Sequence, residues 1–353
     1  MLNSIQTLRA LAAWLVVFHH YLQFFYNFKL TDPLSVAISQ YGAIGVDLFF
    51  VISGFVIYSS TINRHTPPLH FLAHRLARIV PAYWLFTCLV AVSLINFKGL
   101  VAFTEFEPFF LLKSLAFLPA ENPSGVGLFP LLTVGWTLNY EMAFYAIFFL
   151  ALYAPKKLRL PTIFLGIYIL AYIVPKLNGS FSFYTNKIVF EFLMGILIAL
   201  MYKKDWFQFI NLPVALTLAA GSIYTVVTTA GVNHEPIRFG VPCSLLVIAS
   251  LSQEKRFPKN AFIATLGDWS YSTYLSHVLV ICYMYKAQNT FNLSLLTTLA
   301  IICLTILITS YLSYTFIEKP FTNFTKKTLN KDTVLKLNNT QNPAESYTPE
   351  DPR

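Results

Sequence analysis

The sequence predicts an all-α, polytopic membrane protein of about ten transmembrane helices. Three observations carry that expectation. Of 353 residues, 56% are hydrophobic and only 12% charged, against about 25% charged in an average soluble domain. Polar side chains are therefore too few to cover a water-facing surface. The apolar residues gather into stretches near the roughly 20 residues that cross a hydrocarbon core. Lysine and arginine fall in short runs between these stretches. That placement excludes the nucleic-acid partner that a net charge of +9 would otherwise suggest.

The stretches run over residues 8–28, 40–60, 79–97, 133–153, 160–175, 187–203, 211–230, 237–252, 266–285 and 294–317. The first follows a short N-terminus and lacks a cleavable-signal pattern. An even number of crossings puts both termini on one side. Eighteen of the 25 Lys and Arg residues lie there, among them Arg9, Arg64, Arg75, Arg78, Lys156, Lys157, Lys203, Lys255 and the tail lysines. The positive-inside rule makes that side cytoplasmic. Residues 98–132, on the outer side, read as an interfacial helix around Phe109, Phe110 and Lys113 followed by a loop through Asn122-Pro123-Ser124-Gly125. The membrane domain is expected over 1–320, and a polar, disordered cytoplasmic tail over 321–353. Cys88, Cys243, Cys282 and Cys303 lie in apolar stretches without metal or redox spacing and read as packing residues. No metal site is expected. The Asn178-Gly179-Ser180 sequon reads as a chance match.

Within the spans, His20, Asp47, Glu141 and His277 break the apolar pattern. An ionisable group at a helix centre costs about 2.5–3.5 kcal/mol on insertion scales, so each is a candidate functional residue. Counting 1.5 Å per residue from the span ends brings all four to one depth, within about 5 Å. Arg9 and His20 are eleven residues apart, within about 20° of three full turns, so they share a face with about 16 Å of helix between them. His19 points about 100° away. A histidine beside a carboxylate suits general-base work, which pairs His20 with Asp47. Thr137, Glu141 and Tyr145 form an i, i+4, i+8 stripe with Trp136 at its outer end, and Glu141 is a second acid, base or hydroxyl ligand. Ser53 lacks the GxSxG elbow of a serine nucleophile. Arg75 and Arg78 share a face and, with Arg9, suit an anionic cytoplasmic ligand. Intramembrane titratable groups also fit a proton-coupled transporter or a lipid or glycan flippase, although no inverted repeat is evident.

Six stretches in this order resemble the acyltransferase-3 family of integral-membrane O-acyltransferases. They are Leu8-Arg9-Ala10-Leu11-Ala12-Ala13 running to His20; Gly45-Val46-Asp47-Leu48-Phe49-Phe50-Val51-Ile52-Ser53-Gly54-Phe55; Arg75 through Tyr83; Trp136 through Tyr145; Tyr271 through His277; and Glu318-Lys319-Pro320. The opening Ser4-Ile5-Gln6 and Asn122-Pro123-Ser124-Gly125 look most like the bacterial exopolysaccharide branch. The appended extracytoplasmic esterase-like domain of some relatives has no counterpart in this sequence. The resemblance implies acetyl-coenzyme A as co-substrate from the cytoplasm, with no permanently bound cofactor. It implies a hydroxyl of a cell-surface or lipid-linked glycan as acceptor, and a bacterial inner-membrane location among membrane lipids and polysaccharide-assembly proteins. It gives Arg9, Arg75 and Arg78 the donor's phosphates and His20, steadied by Asp47, the acceptor proton. Glu141 joins the catalytic set, and Trp136, Tyr145, Tyr274 and His277 are substrate- or donor-binding. Direct transfer and an acyl-histidine intermediate both fit.

Overall fold

The computed structural model describes residues 2–61, 66–177, 179–229, 231–257 and 259–329. Arg64, the sequon's Asn178 and residues 330–353 of the expected tail lie outside the described residues. Among the described residues all regular structure is helical. The α-helices are α1 (Asn3–Tyr26), α2 (Pro33–Tyr41), α3 (Ile44–Thr61), α4 (Pro68–Asn96), α5 (Pro108–Leu115), α6 (Trp136–Tyr153), α7 (Arg159–Tyr172), α8 (Phe190–Lys203), α9 (Leu212–Val227), α10 (Val241–Ser252), α11 (Ala261–Phe291) and α12 (Leu295–Ser313). Each apolar stretch read from the sequence falls on one of them. By length and composition four helices among the described residues are able to cross a membrane: Ile44–Thr61, Pro68–Asn96, Arg159–Lys176 and Leu295–Leu329. The bent pair Gly179–Thr185 and Lys187–Lys203 makes a fifth if it is one span broken by 53°.

Several element ends differ from the expectation, each for a local reason. α1 begins at Asn3, because the Glu254 carboxylate accepts from the backbone N–H groups of Asn3 (2.6 Å) and Ser4 (3.0 Å) and from the Ser4 hydroxyl. A remote side chain thus satisfies orphan donors of the first turn. α2 was not expected as a separate helix. Asp32 caps it by accepting from Ser35 N–H at 2.9 Å, and Pro33 starts it. That bond and the Ser35 hydroxyl hold the exposed Asp32 carboxyl below the usual carboxylate range. α4 starts at Pro68, so Arg75 and Arg78 lie two turns inside it and Pro81 is internal. The last helix runs past the expected boundary at 320, through a wider turn at Tyr314–Glu318, to Leu329. The expected interfacial helix is α5. Tyr83 of α4 stacks on Phe117 and donates to the Ser114 carbonyl at 3.0 Å, which ties that segment to the bundle.

Small residues set how closely the central helices approach. α1 packs against both α11 and α3, and α3 against α8. A Cβ on Gly54 would lie 2.1 Å from the Phe192 carbonyl oxygen, and one on Gly195 would lie 2.0 Å from that of Val51. At Gly45 the clash would be with Ala12 O at 2.3 Å, and at Gly267 with Gln6 O at 2.5 Å. These are backbone atoms, which cannot rotate away. The arrangement that brings α1, α3, α8 and α11 together therefore depends on these glycines. Gly195→Ala is expected to lower stability by at least about 1–3 kcal/mol. Gly221→Ala on α9, where nothing lies within 4 Å, is expected to raise it by about 0.5–1 kcal/mol. Thermal unfolding in detergent reads both, and the two shifts should have opposite sign.

Candidate active site

Helices α1, α3, α4, α6 and α11 border a partly open cavity of about 810 Å³, its solvent-open mouth included, lined by Arg9, Arg75, Arg78, Ser53, Thr137, Glu141, Tyr145, Tyr271 and Tyr274 with apolar neighbours. The guanidinium groups are aimed by other parts of the fold. Arg9, only 5% exposed, donates from Nη1 to Gln6 Oε1 at 3.0 Å, and Gln6 Nε2 donates in turn to Asp268. Arg75 donates from Nη2 to Ser60 Oγ at 3.0 Å and lies over the Phe71 ring at 5.5 Å, while its buried Nε has no hydrogen-bond partner among the described residues. Glu141 Oε1 accepts from Tyr145 at 2.5 Å and from Ser53 at 3.4 Å. Tyr271 donates to Ile79 O at 2.8 Å and Tyr274 to Val134 O at 2.8 Å, which fixes α11 against α4 and the start of α6.

Farther along α1, His20 meets His277 of α11 with ring centroids 5.0 Å apart. The bonding pattern assigns the tautomers. His277 Nδ1 lies 2.6 Å from Tyr274 O, which only accepts, so Nδ1 carries the proton and Nε2 is the acceptor. His20 Nδ1 lies 3.0 Å from Val16 O and 3.3 Å from His277 Nε2, both acceptors, so it too carries the proton. His20 Nε2 is then left with its lone pair and no hydrogen-bond partner among the described residues. A base of this kind needs no adjacent carboxylate to set its tautomer, because the second imidazole and a backbone carbonyl do so. His19 turns aside, its Nδ1 3.4 Å from Ile38 O and its ring 5.0 Å from Phe28.

Asp47 takes a different partner from the one expected. It is fully buried in the first turn of α3, and its Oδ2 accepts from His234 Nδ1 at 2.9 Å. His234 comes from the loop before α10 and packs its ring 5.4 Å from that of Trp136. Glu191, also fully buried, faces Asp47 from the first turn of α8. The expected single layer of four groups is thus divided. His20 and His277 form a pair, Asp47 joins His234 and Glu191, and Glu141 lies with the arginines. The geometric assumption that failed was that titratable groups at similar depth face one another. Asp47 sits at the start of its helix, where the neighbours are α8 and a loop. Glu191, a carboxylate inside an apolar stretch, carried the same signal as Asp47 and was missed. His234 lies in a polar loop without periodicity and gave no such signal. No group of three His, Cys, Asp or Glu residues suited to a metal occurs among the described residues.

Comparison with known proteins gives a consistent result. The family model described as an acyltransferase domain matches residues 2–314. The chain is 35% identical to the exopolysaccharide production protein ExoZ of Rhizobium meliloti (strain 1021), over 79% of this chain and 89% of that one. It is 27% identical to the acyltransferase MdmB of Streptomyces mycarofaciens over 82% and 81% of the two chains. Identity to nodulation protein 10 of Rhizobium leguminosarum bv. viciae is 25%, over 79% and 82%. No solved structure matches. The histidine geometry is directly testable: nitrogen NMR of histidine-labelled protein, assigned by loss of signal in His20→Gln and His277→Gln, should show both rings as Nδ1–H tautomers. An Nε2–H signal from His20 would contradict the arrangement.

Proposed function

Because the chain belongs to the acyltransferase-3 family, whose domain model spans nearly all of its helical part, we propose that it moves an acyl group, acetyl in the first instance, from cytoplasmic acyl-coenzyme A to a hydroxyl of an exopolysaccharide or its lipid-linked precursor. The observation that carries this reading is the arginine-lined cavity on the same helix face as His20. Arg9, Arg75 and Arg78 present guanidinium forks suited to the several phosphates of coenzyme A. The extended pantetheine arm then leads the thioester along α1, whose residues 9 and 20 are about 16 Å apart. A groove beside Ser60, lined by Phe55, Tyr202 and Lys203, shares Val56 with the cavity and offers room for the rest of the nucleotide.

The membrane arrangement that suits this chemistry has ten crossings. In it α2 and α5, of 9 and 8 residues, lie at the surface, and both chain ends and the arginines lie on the cytoplasmic side of a bacterial inner membrane. The excess of Lys and Arg in that side's loops supports it.

In the transfer step, His20 Nε2 takes the proton of the acceptor hydroxyl as its oxygen attacks the thioester carbonyl carbon. The new C–O bond forms, the C–S bond breaks, and coenzyme A leaves as a thiolate. Glu141, held by Tyr145 and Ser53 in the cavity, is the group placed to carry a proton on the thiolate side. His277 orients His20, the task the expectation gave to Asp47.

With purified protein, radiolabelled acetyl-coenzyme A and a de-esterified exopolysaccharide, His20→Ala is expected to lower kcat by about 10²–10⁴-fold with donor affinity retained. Unchanged transfer by His20→Ala would overturn the mechanism. Arg9→Ala and Arg78→Ala are expected to raise the KM for acetyl-coenzyme A by about tenfold or more, a loss comparable to one charge-assisted hydrogen bond. Titration of the donor at fixed acceptor concentration measures that change.

A further inference from the structure

A second group of polar side chains does not line the arginine cavity and starts in the first turn of α3, whose far end carries the Ser60 that holds Arg75; the cavity extends to the group's neighbours Val46, Thr137 and Phe192. Asp47 and Glu191 stand in the first turns of α3 and α8, where the helix dipole favours negative charge. That explains why carboxyl groups are tolerated there, but not how their oxygens are satisfied. Asp47 Oδ1 and both oxygens of Glu191 are buried without an N–H or hydroxyl donor among the described residues, and the two carboxyl groups lie close enough to share a proton. Buried polar atoms of this kind need a hydroxyl, water or proton to meet them. Room has been kept for Glu191: a Cβ on Gly240 would lie 2.8 Å from its Cγ and 3.0 Å from its Oε1.

His234 closes the group from outside. Its backbone holds a left-handed φ of 59°, unusual for a side chain of this size, and its imidazole bonds Asp47. Such strain persists only where surrounding contacts hold it. Nδ1 carries the proton donated to Asp47, so Nε2 is an acceptor, on a side chain 17% exposed. Beside it lies the partly exposed ring of Trp136. An aromatic face with convergent carboxyl oxygens and an imidazole nitrogen is the chemistry that recognises a sugar ring. The apolar C–H face packs on the indole, and the hydroxyls bond the acceptors. The group is also close to the transfer step. His19 is within electrostatic reach of His234, and the His19 and His20 rings are 5.3 Å apart.

We infer that His234, Asp47, Glu191 and Trp136 form the acceptor site, a pocket for the hydroxyls of a sugar residue separate from the donor cavity. The inference rests on the acyl-transfer reading above. His234 Nε2 and the Glu191 carboxyl oxygen not engaged with Asp47 bind hydroxyls that flank the one being acylated, and Asp47 orients His234 for that contact. The proton of the reacting hydroxyl still goes to His20.

The test uses the full-length protein in detergent, acetyl-coenzyme A as donor and a de-esterified exopolysaccharide as acceptor probe. His234→Asn keeps an N–H donor near the position of Nδ1 and removes Nε2; Glu191→Gln keeps the volume and alters the acceptor oxygens. Each is expected to raise the acceptor KM by about tenfold, as the loss of a substrate hydrogen bond does. The dissociation constant for acetyl-coenzyme A, measured on the same preparations, should stay at the wild-type value. Acceptor KM values within about twofold of wild type in both variants would overturn the inference, as would parallel losses of donor and acceptor binding, which mark a purely structural role. Wild-type protein that binds acetyl-coenzyme A but transfers nothing to the polysaccharide would overturn the acyl-transfer reading and this inference with it.

Discussion

A polar side chain inside an apolar helical bundle has to be satisfied by another part of the protein, and this requirement organises the molecule from one end to the other. Arg9 is held by Gln6, which is held by Asp268 of α11. Glu254 closes the first turn of α1. His20 and His277 satisfy each other and two backbone carbonyls. The Gln6–Asp268 and His20–His277 contacts join α1 to α11, so groups beside the proposed chemistry also fix the register of these two helices. That coupling is possible because Gly45 and Gly267 let neighbouring backbones approach α1 closely.

The same requirement separates two kinds of chemistry. Guanidinium groups from α1 and α4 line one cavity, the proposed donor site, with Glu141 among them. Two carboxyl groups stand in the first turns of α3 and α8, beside His234 and Trp136, the group inferred to hold the acceptor. The two histidines stand between them on α1 and α11. The proposed transfer from an anionic carrier to a neutral sugar would use such a division, with a different chemistry holding each partner.

Much of this was legible in the sequence, because hydrophobic periodicity and charge placement act locally. Every apolar stretch became a helix, and helical phase alone distinguished His20, which meets His277, from His19, which turns to Ile38 and Phe28. The arginines at 9, 75 and 78 converge on one cavity, as their shared faces suggested. Two helix starts were readable and were passed over: Asp32-Pro33 and Pro67-Pro68 both carry the proline that opens a helix. What sequence could not supply was the pairing of side chains. Depth along a helix says nothing of rotation toward a particular neighbour, so Asp47 was matched to His20 and not to His234. His234 itself is brought in by a loop whose strained backbone has no periodic signature.

The separation of donor and acceptor sites is measured most directly by sidedness of transfer. The protein is reconstituted into vesicles in one known orientation, with acetyl-coenzyme A and de-esterified polysaccharide supplied on chosen sides. Acetylation is expected only when the donor is on the side of Arg9 and the acceptor on the side of His234. Equal acetylation with both substrates confined to the Arg9 side would contradict it.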